Sequence, residues 1–197
     1  AHDFDEDGLE DLMVGGRNVT GKYGQIPRSY LLKNLGGNRY QDITNQIAPE
    51  LANLGMVKDA AWTDIDADGN QDLIVIGEWM PITIFLNKNG KLVNETVRFG
   101  LKNTNGWWSS IAIEDFNQDG FPDIYVGNDF HEDDYYYINN GNGTFSDQLK
   151  NYFGHTTRFS MGNDVTDINH DGLPDIISLD MLPEDELVLK TSDGDDN

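Results

Sequence analysis

Aspartate and asparagine stand at fixed spacing in four nine-residue segments of this chain: DFDEDGLED at 3–11, DIDADGNQD at 64–72, DFNQDGFPD at 115–123 and DINHDGLPD at 167–175. The shared pattern is D-x-[D/N]-x-D-G-x-x-D. Side-chain oxygens at positions 1, 3, 5 and 9 can converge on one hard cation, and the backbone carbonyl of position 7 adds another oxygen. Glycine at position 6 permits the sharp turn that this wrapping needs. The chemistry expected is Ca2+ binding, with up to four ions. The expected ligands are Asp3, Asp5, Asp7, Leu9 and Asp11 in the first loop, and Asp64, Asp66, Asp68, Asn70 and Asp72 in the second. In the third they are Asp115, Asn117, Asp119, Phe121 and Asp123, and in the fourth Asp167, Asn169, Asp171, Leu173 and Asp175. Loops three and four carry an amide at position 3 and so less charge; they are expected to bind more weakly than the first two.

Position 12 separates these loops from calcium sensors. An EF-hand places a bidentate glutamate there and continues into a helix. Here position 12 is Val14, Val75, Val126 and Ser178, inside runs that read as strands. Recurrence argues against plain Asp/Asn/Gly turns, because four copies keep the same ligand positions.

The bulk composition agrees with a metal-clamped, turn-rich chain. The 197 residues carry a net charge of -22, with 21 glycines and no cysteine. Such a charge argues against a nucleic-acid partner and against docking on an anionic membrane. Four, four, three and three carboxylates fall at ligand positions, so four bound Ca2+ would bring -22 to about -14 and relieve self-repulsion. Without disulfides, calcium loops suit an extracytoplasmic setting, where the ion is abundant. No apolar run of membrane-spanning length is present, so no direct membrane insertion is expected.

The loops must be held by a repeated fold. Their starts are 61, 51 and 52 residues apart, the length of a supersecondary unit. In the second copy, residues 60–63 read as a short strand leading into the loop and 72–79 as a β-rich run leaving it. Residues 82–86 form a third strand, Asn89-Gly90 a two-residue hairpin turn, and 91–96 the return. Residues 30–34 with Gly36-Gly37, and 135–138 with Asn142-Gly143, repeat the hairpin. Each unit is then four short antiparallel strands with the acidic loop between the first and second, which reads as a propeller blade. A lone blade cannot bury both faces, so neighbours must stack. The units are drawn at 1–58, 59–106, 107–158 and 159–197. The first lacks its leading strand and the last fades into a polar tail, so a segment of a longer ring is expected.

These features resemble the FG-GAP or VCBS repeats, the calcium-loop blades also found in integrin α-chain propellers. The strings GEWMP (77–81), GNDF (127–130), NNGNGTF (139–145), PRSYLLKN (27–34) and the run from 160 to 185 are similar to bacterial proteins that carry ASPIC/UnbV domains, related to cartilage acidic protein. The resemblance implies an all-β propeller, seven-bladed in full, on a bacterial cell surface or secreted. It also implies that the loop carboxylates are calcium ligands. The ASPIC/UnbV module itself is not evident in this chain, and the GEWMP-like and SMGND-like blades stand in reversed order.

Other residues offer less. Asp129, His131, Glu132, Asp133 and Asp134, ahead of three tyrosines, form a possible ligand face, weighed against a solvated loop before a hairpin. Trp79, Trp107 and Trp108 suit sugar stacking, weighed against the blade core, the commoner place for such rings. His2, His131, His155 and His170 lack zinc spacing, and three N-x-T acceptor patterns are expected by chance in so Asn-rich a chain. The function expected is an extracellular, non-catalytic, calcium-stabilised propeller that binds protein or glycan partners as an adhesion or scaffold module. The alternative is a polysaccharide lyase-like enzyme on the same scaffold, for which 13 Lys and Arg give little material.

Overall fold

The computed structural model describes residues 1–101, 104–129 and 132–181. Among the described residues it is all-β apart from short turns of helix. Strands β1 (Leu12–Val14), β2 (Tyr30–Asn34) and β3 (Tyr40–Asp42) follow the first acidic loop as an antiparallel meander. The second unit is complete: β4 (Met56–Thr63), the acidic loop, then β5 (Asp72–Met80), β6 (Thr83–Asn87) and β7 (Leu92–Asn94). The third repeats it with β8 (Gly106–Glu114), β9 (Asp123–Asn128), β10 (Tyr135–Asn139) and β11 (Phe145–Asp147). The fourth contributes β12 (Ser160–Thr166) and β13 (Asp175–Asp180), again astride their loop. Residues 182–197 of the fourth unit lie outside the described residues.

The leading strands extend further back than their sequence suggested. Strand β4 starts at Met56 rather than at residue 60, because a bulge at Lys58 lets pairing resume beyond it. The same bulge recurs at Ser109 and Met161, each six residues before its loop. Gly77 faces the first of these: a Cβ there would meet the Met56 carbonyl oxygen at 2.1 Å. The hairpin at Asn89-Gly90 has φ of 55° and 78°, the two positive values a type I′ turn requires.

Alternation along the strands explains why the units stack. On β5, Leu73 and Val75 join a cluster with Phe4, Leu31, Leu51 and Val57, on the side of the first unit. Ile74 and Ile76 face the other way, into a cluster with Trp108, Ile124 and Val126 of the third unit. On β9, Tyr125 turns to a third cluster, against which Val165 and Ile176 of the fourth unit pack. The strands of the second and third units thus bury both faces against their neighbours, as blades do.

Pairing across one seam departs from separate blades. The end of β5 pairs with the start of β8 through Glu78↔Trp107 and Met80↔Gly106, so the second and third units share one antiparallel sheet. Elements α1 (Thr44–Ile47) and α2 (Leu149–Tyr152) and a 3-10 turn at Pro49–Asn53 cap the ends of the units. Leu51 and Leu149, buried from these turns, extend the seam clusters. Among the described residues no helix is long and apolar enough to cross a membrane.

Candidate metal loops and the far end of the sheets

The four acidic loops share one backbone. Position 4 takes a left-handed conformation in each, at Glu6, Ala67, Gln118 and His170 with φ of 57° to 61°, and the glycine two residues on does the same. This winding aims two successive N–H groups at the position 1 carboxylate. Asp64 accepts from Asp68 N and Gly69 N at 3.0 and 2.9 Å, and Asp3, Asp115 and Asp167 repeat the pair. The position 5 carboxylates, Asp7, Asp68, Asp119 and Asp171, each accept the N–H of position 7. Those position 7 residues are Leu9, Asn70, Phe121 and Leu173. Asn117 and Asn169 accept the N–H of position 5 at 2.9 Å.

Carboxylate crowding differs between loops. One oxygen each from Asp3, Asp5 and Asp11 lies within 4.8 Å of the others, and so do oxygens of Asp64, Asp66 and Asp72. Among the described residues, loops three and four gather no such triple of carboxylates. Asp11 Oδ2 and Asp66 Oδ1 are buried with no hydrogen-bond partner in normal bonding geometry. A buried, unpaired carboxylate oxygen is costly, and a cation beside it removes that cost. The all-oxygen donor set therefore fits Ca2+. In loop one the Lys33 ammonium bridges Asp5 and Asp7, and its hydrogen bond holds Asp7 below the ordinary carboxylate range. A cation in this loop would have to displace it.

Position 9 has a second role that the sequence reading missed. Asp11, Asp72 and Asp123 are buried, and each accepts at 2.7 Å the N–H of an asparagine at the end of the unit's third strand: Asn34, Asn87 or Asn139. The same asparagines accept a hairpin glycine N–H through Oδ1. Asn139 goes further, its Nδ2 donating to the carbonyls of Ile65 and Pro122, in loops two and three. Asp72 and Asp123 also accept the N–H of position 2, from Ile65 and Phe116.

Burial pushes Asp72 and Asp123 up to about 6. It raises Asp66 and Asp11 too, with neighbouring loop carboxylates adding to it. A folded-state value above the ordinary 3.8 means the folded, metal-free protein holds more protons than the unfolded chain between about pH 4 and 6. Stability from these groups is full at the acid end of that window and is lost as pH rises through 6. Metal-free protein is therefore expected to melt higher at pH 5 than at pH 7.5, and the order is expected to reverse in millimolar Ca2+, which binds the ionised form. Scanning calorimetry on metal-stripped protein checks this; a metal-free melting temperature that climbs from pH 5 to 7.5 refutes it.

The possible ligand face is divided by the structure. His131 lies outside the described residues. Asp134 is buried, accepting the Tyr125 hydroxyl and the Asn128 N–H, and so braces the β9–β10 turn rather than facing solvent. Glu132 and Asp133 are exposed beside a cleft that also takes in Tyr135, Asp147 and Lys150. Asp129 pairs instead with Phe159 of the fourth unit. The tryptophans part company as well. Trp108 is fully buried and donates Nε1 to the Met80 carbonyl at 2.7 Å, Trp107 is half-buried, and Trp79 is 56% exposed.

No curated protein matches this chain. Among solved structures, the V. cholerae biofilm matrix protein Bap1 is similar, with a TM-score of 0.50 and 20% identity. The likeness covers 90% of this chain and 26% of that one, so the chain spans about a quarter of its neighbour's length, and at this identity it concerns the fold. The FG-GAP-like repeat family matches three overlapping spans, residues 3–75, 64–126 and 115–178, each running from one acidic loop into the strand after the next. Through these repeats, with their propeller-like stacking of antiparallel sheets, the chain belongs to the FG-GAP-like repeat family.

Proposed function

We propose that this chain is a segment of an extracellular, calcium-stabilised β-propeller, seven-bladed in full, that serves as an adhesion or scaffold module for a protein or glycan partner. The observation that carries the calcium reading is Asp66 Oδ1, buried without a partner in normal bonding geometry inside a cluster of three carboxylates. Ca2+ held by the loops clamps the turn between the first two strands of each blade and adds its binding energy to folding. The family supports the repeat architecture, and the fold likeness to a biofilm matrix protein accords with a place outside the cell. The finer resemblance, to bacterial proteins of the ASPIC/UnbV kind on a cell surface, rests on the GEWMP and GNDF strings and is part of the same proposal.

The test is a glycan array and a capture screen for surface proteins, run on the protein with Ca2+ and again with EGTA, with a lyase assay beside them. Calcium-dependent binding without new unsaturated sugar ends is the result expected. Cleavage of any polysaccharide would instead establish the lyase-like alternative, and failure to take up Ca2+ would remove the stabilising role.

A further inference from the structure

Trp79 is held out from the sheet by a device of its own. It is the bulged residue of the β5–β8 seam, between the pairs Glu78↔Trp107 and Met80↔Gly106, and its φ is 57°. A bulky residue adopts that left-handed conformation only when its surroundings impose it, and such outliers gather at binding sites. Bulges re-aim side chains. Glu78 and Met80 on either side are 2% and 3% exposed, whereas the indole between them is 56% exposed.

The ring is also fixed in orientation. Its Nε1 donates to the Tyr23 hydroxyl at 3.2 Å, and that hydroxyl donates to Glu78 Oε2 at 3.0 Å. Glu78 Oε1 accepts Arg17 Nε at 3.1 Å and Nη2 at 2.9 Å. A buried carboxylate therefore anchors both the tyrosine that orients the indole and the guanidinium beside it. Trp107 lies against Trp79 with ring centroids 5.6 Å apart and planes tilted by 53°. The Arg17 side chain is 60% exposed and, among the described residues, retains N–H groups beyond those on Glu78. This corner stands about seven residues along β5 from the nearest acidic loop, roughly 23 Å away at strand rise, so it is separate from the metal ligands.

We propose that this corner binds a neutral saccharide, one pyranose face stacked on the Trp79 indole and the ring hydroxyls bonded by Arg17. The proposal deepens the extracellular binding function and rests on it. Axial C–H groups of a pyranose carry slight positive charge and suit the negative face of an indole. Hydroxyl oxygens accept from an exposed guanidinium. The occupant is neutral because a chain of net charge -22 repels polyanions and anionic membranes at long range. Preorganisation fits a weakly held ligand: a ring already locked by Tyr23 and the bulge loses little freedom on binding.

The experiment uses linear hexasaccharides of glucose, mannose, galactose and N-acetylglucosamine. Hexagalacturonate and phosphatidylserine vesicles are the comparison arms, and tryptophan emission and calorimetry are the readouts. At least one neutral hexasaccharide is expected to bind and shift the emission. Trp79→Ala is expected to weaken that binding by about tenfold or more, and Tyr23→Phe by about threefold, without moving the melting temperature by more than a few degrees. Tyr23→Phe keeps the test decisive should Trp79→Ala misfold. The proposal is overturned if no neutral hexasaccharide binds, if only hexagalacturonate or vesicles bind, or if both variants bind as the parent does. Calcium-dependent binding of a glycan that survives Trp79→Ala would leave the proposed function standing and remove this site alone.

Discussion

Adding EGTA is expected to lower the melting temperature by roughly 10–40 °C at neutral pH. The size follows from linkage. One site held at about a hundred times its dissociation constant adds about 2.7 kcal/mol, and two to four such sites add on the order of 5–10 kcal/mol. A domain of this size moves by about 2–4 °C per kcal/mol. The two loops with a carboxylate triple are expected to supply most of the effect. Loop two is expected to supply more than loop one, where the Lys33 ammonium already bridges Asp5 and Asp7. Asp66→Ala therefore should reduce the calcium-dependent part of the shift more than Asn117→Ala does. Calorimetric scans with and without Ca2+ read all of this; a melting temperature indifferent to EGTA would falsify the stabilising role.

Much of the fold was legible because its signals are local. The acidic loops, the Asn89-Gly90 turn and the alternating strands each lie within a few residues of chain. The demand that both faces be covered turned those strands into stacked units, and Leu73, Val75, Ile74 and Ile76 divide between two clusters as that demand requires. What stayed hidden depends on partners distant in sequence. The asparagine that bonds position 9 lies 15 to 23 residues beyond it, with nothing to distinguish it in an Asn-rich chain. The β5–β8 pairing runs through a bulge, and no composition announces a tryptophan at positive φ. The acidic cluster at 129–134 looked uniform as a string, yet Asp134 turns inward because Tyr125 and Asn128 offer it two donors.

Asn139→Ala is expected to cost roughly 2–4 kcal/mol with or without calcium, against under about 1 kcal/mol for Asn140→Ala one residue on. Asn139 is 1% exposed. Its Nδ2 donates to Ile65 O at 2.9 Å and to Pro122 O at 3.2 Å, and its Oδ1 accepts Gly141 N at 3.1 Å. Truncation leaves three backbone groups without that partner in a place water reaches poorly, whereas Asn140 is exposed. No charge is removed, so relief of carboxylate repulsion cannot mask the loss. Ile65 is position 2 of loop two and Pro122 position 8 of loop three, so one side chain ties neighbouring loops across the seam. The cost should therefore appear as lower calcium affinity in both loops as well as in denaturant midpoints. A double-mutant cycle between Asn139→Ala and Asp66→Ala separates this from simple packing: energetic coupling above about 0.5 kcal/mol in Ca2+ that fades in EGTA is the expected signature. Additive costs in both conditions would mean that Asn139 holds the seam without influencing the ion of loop two.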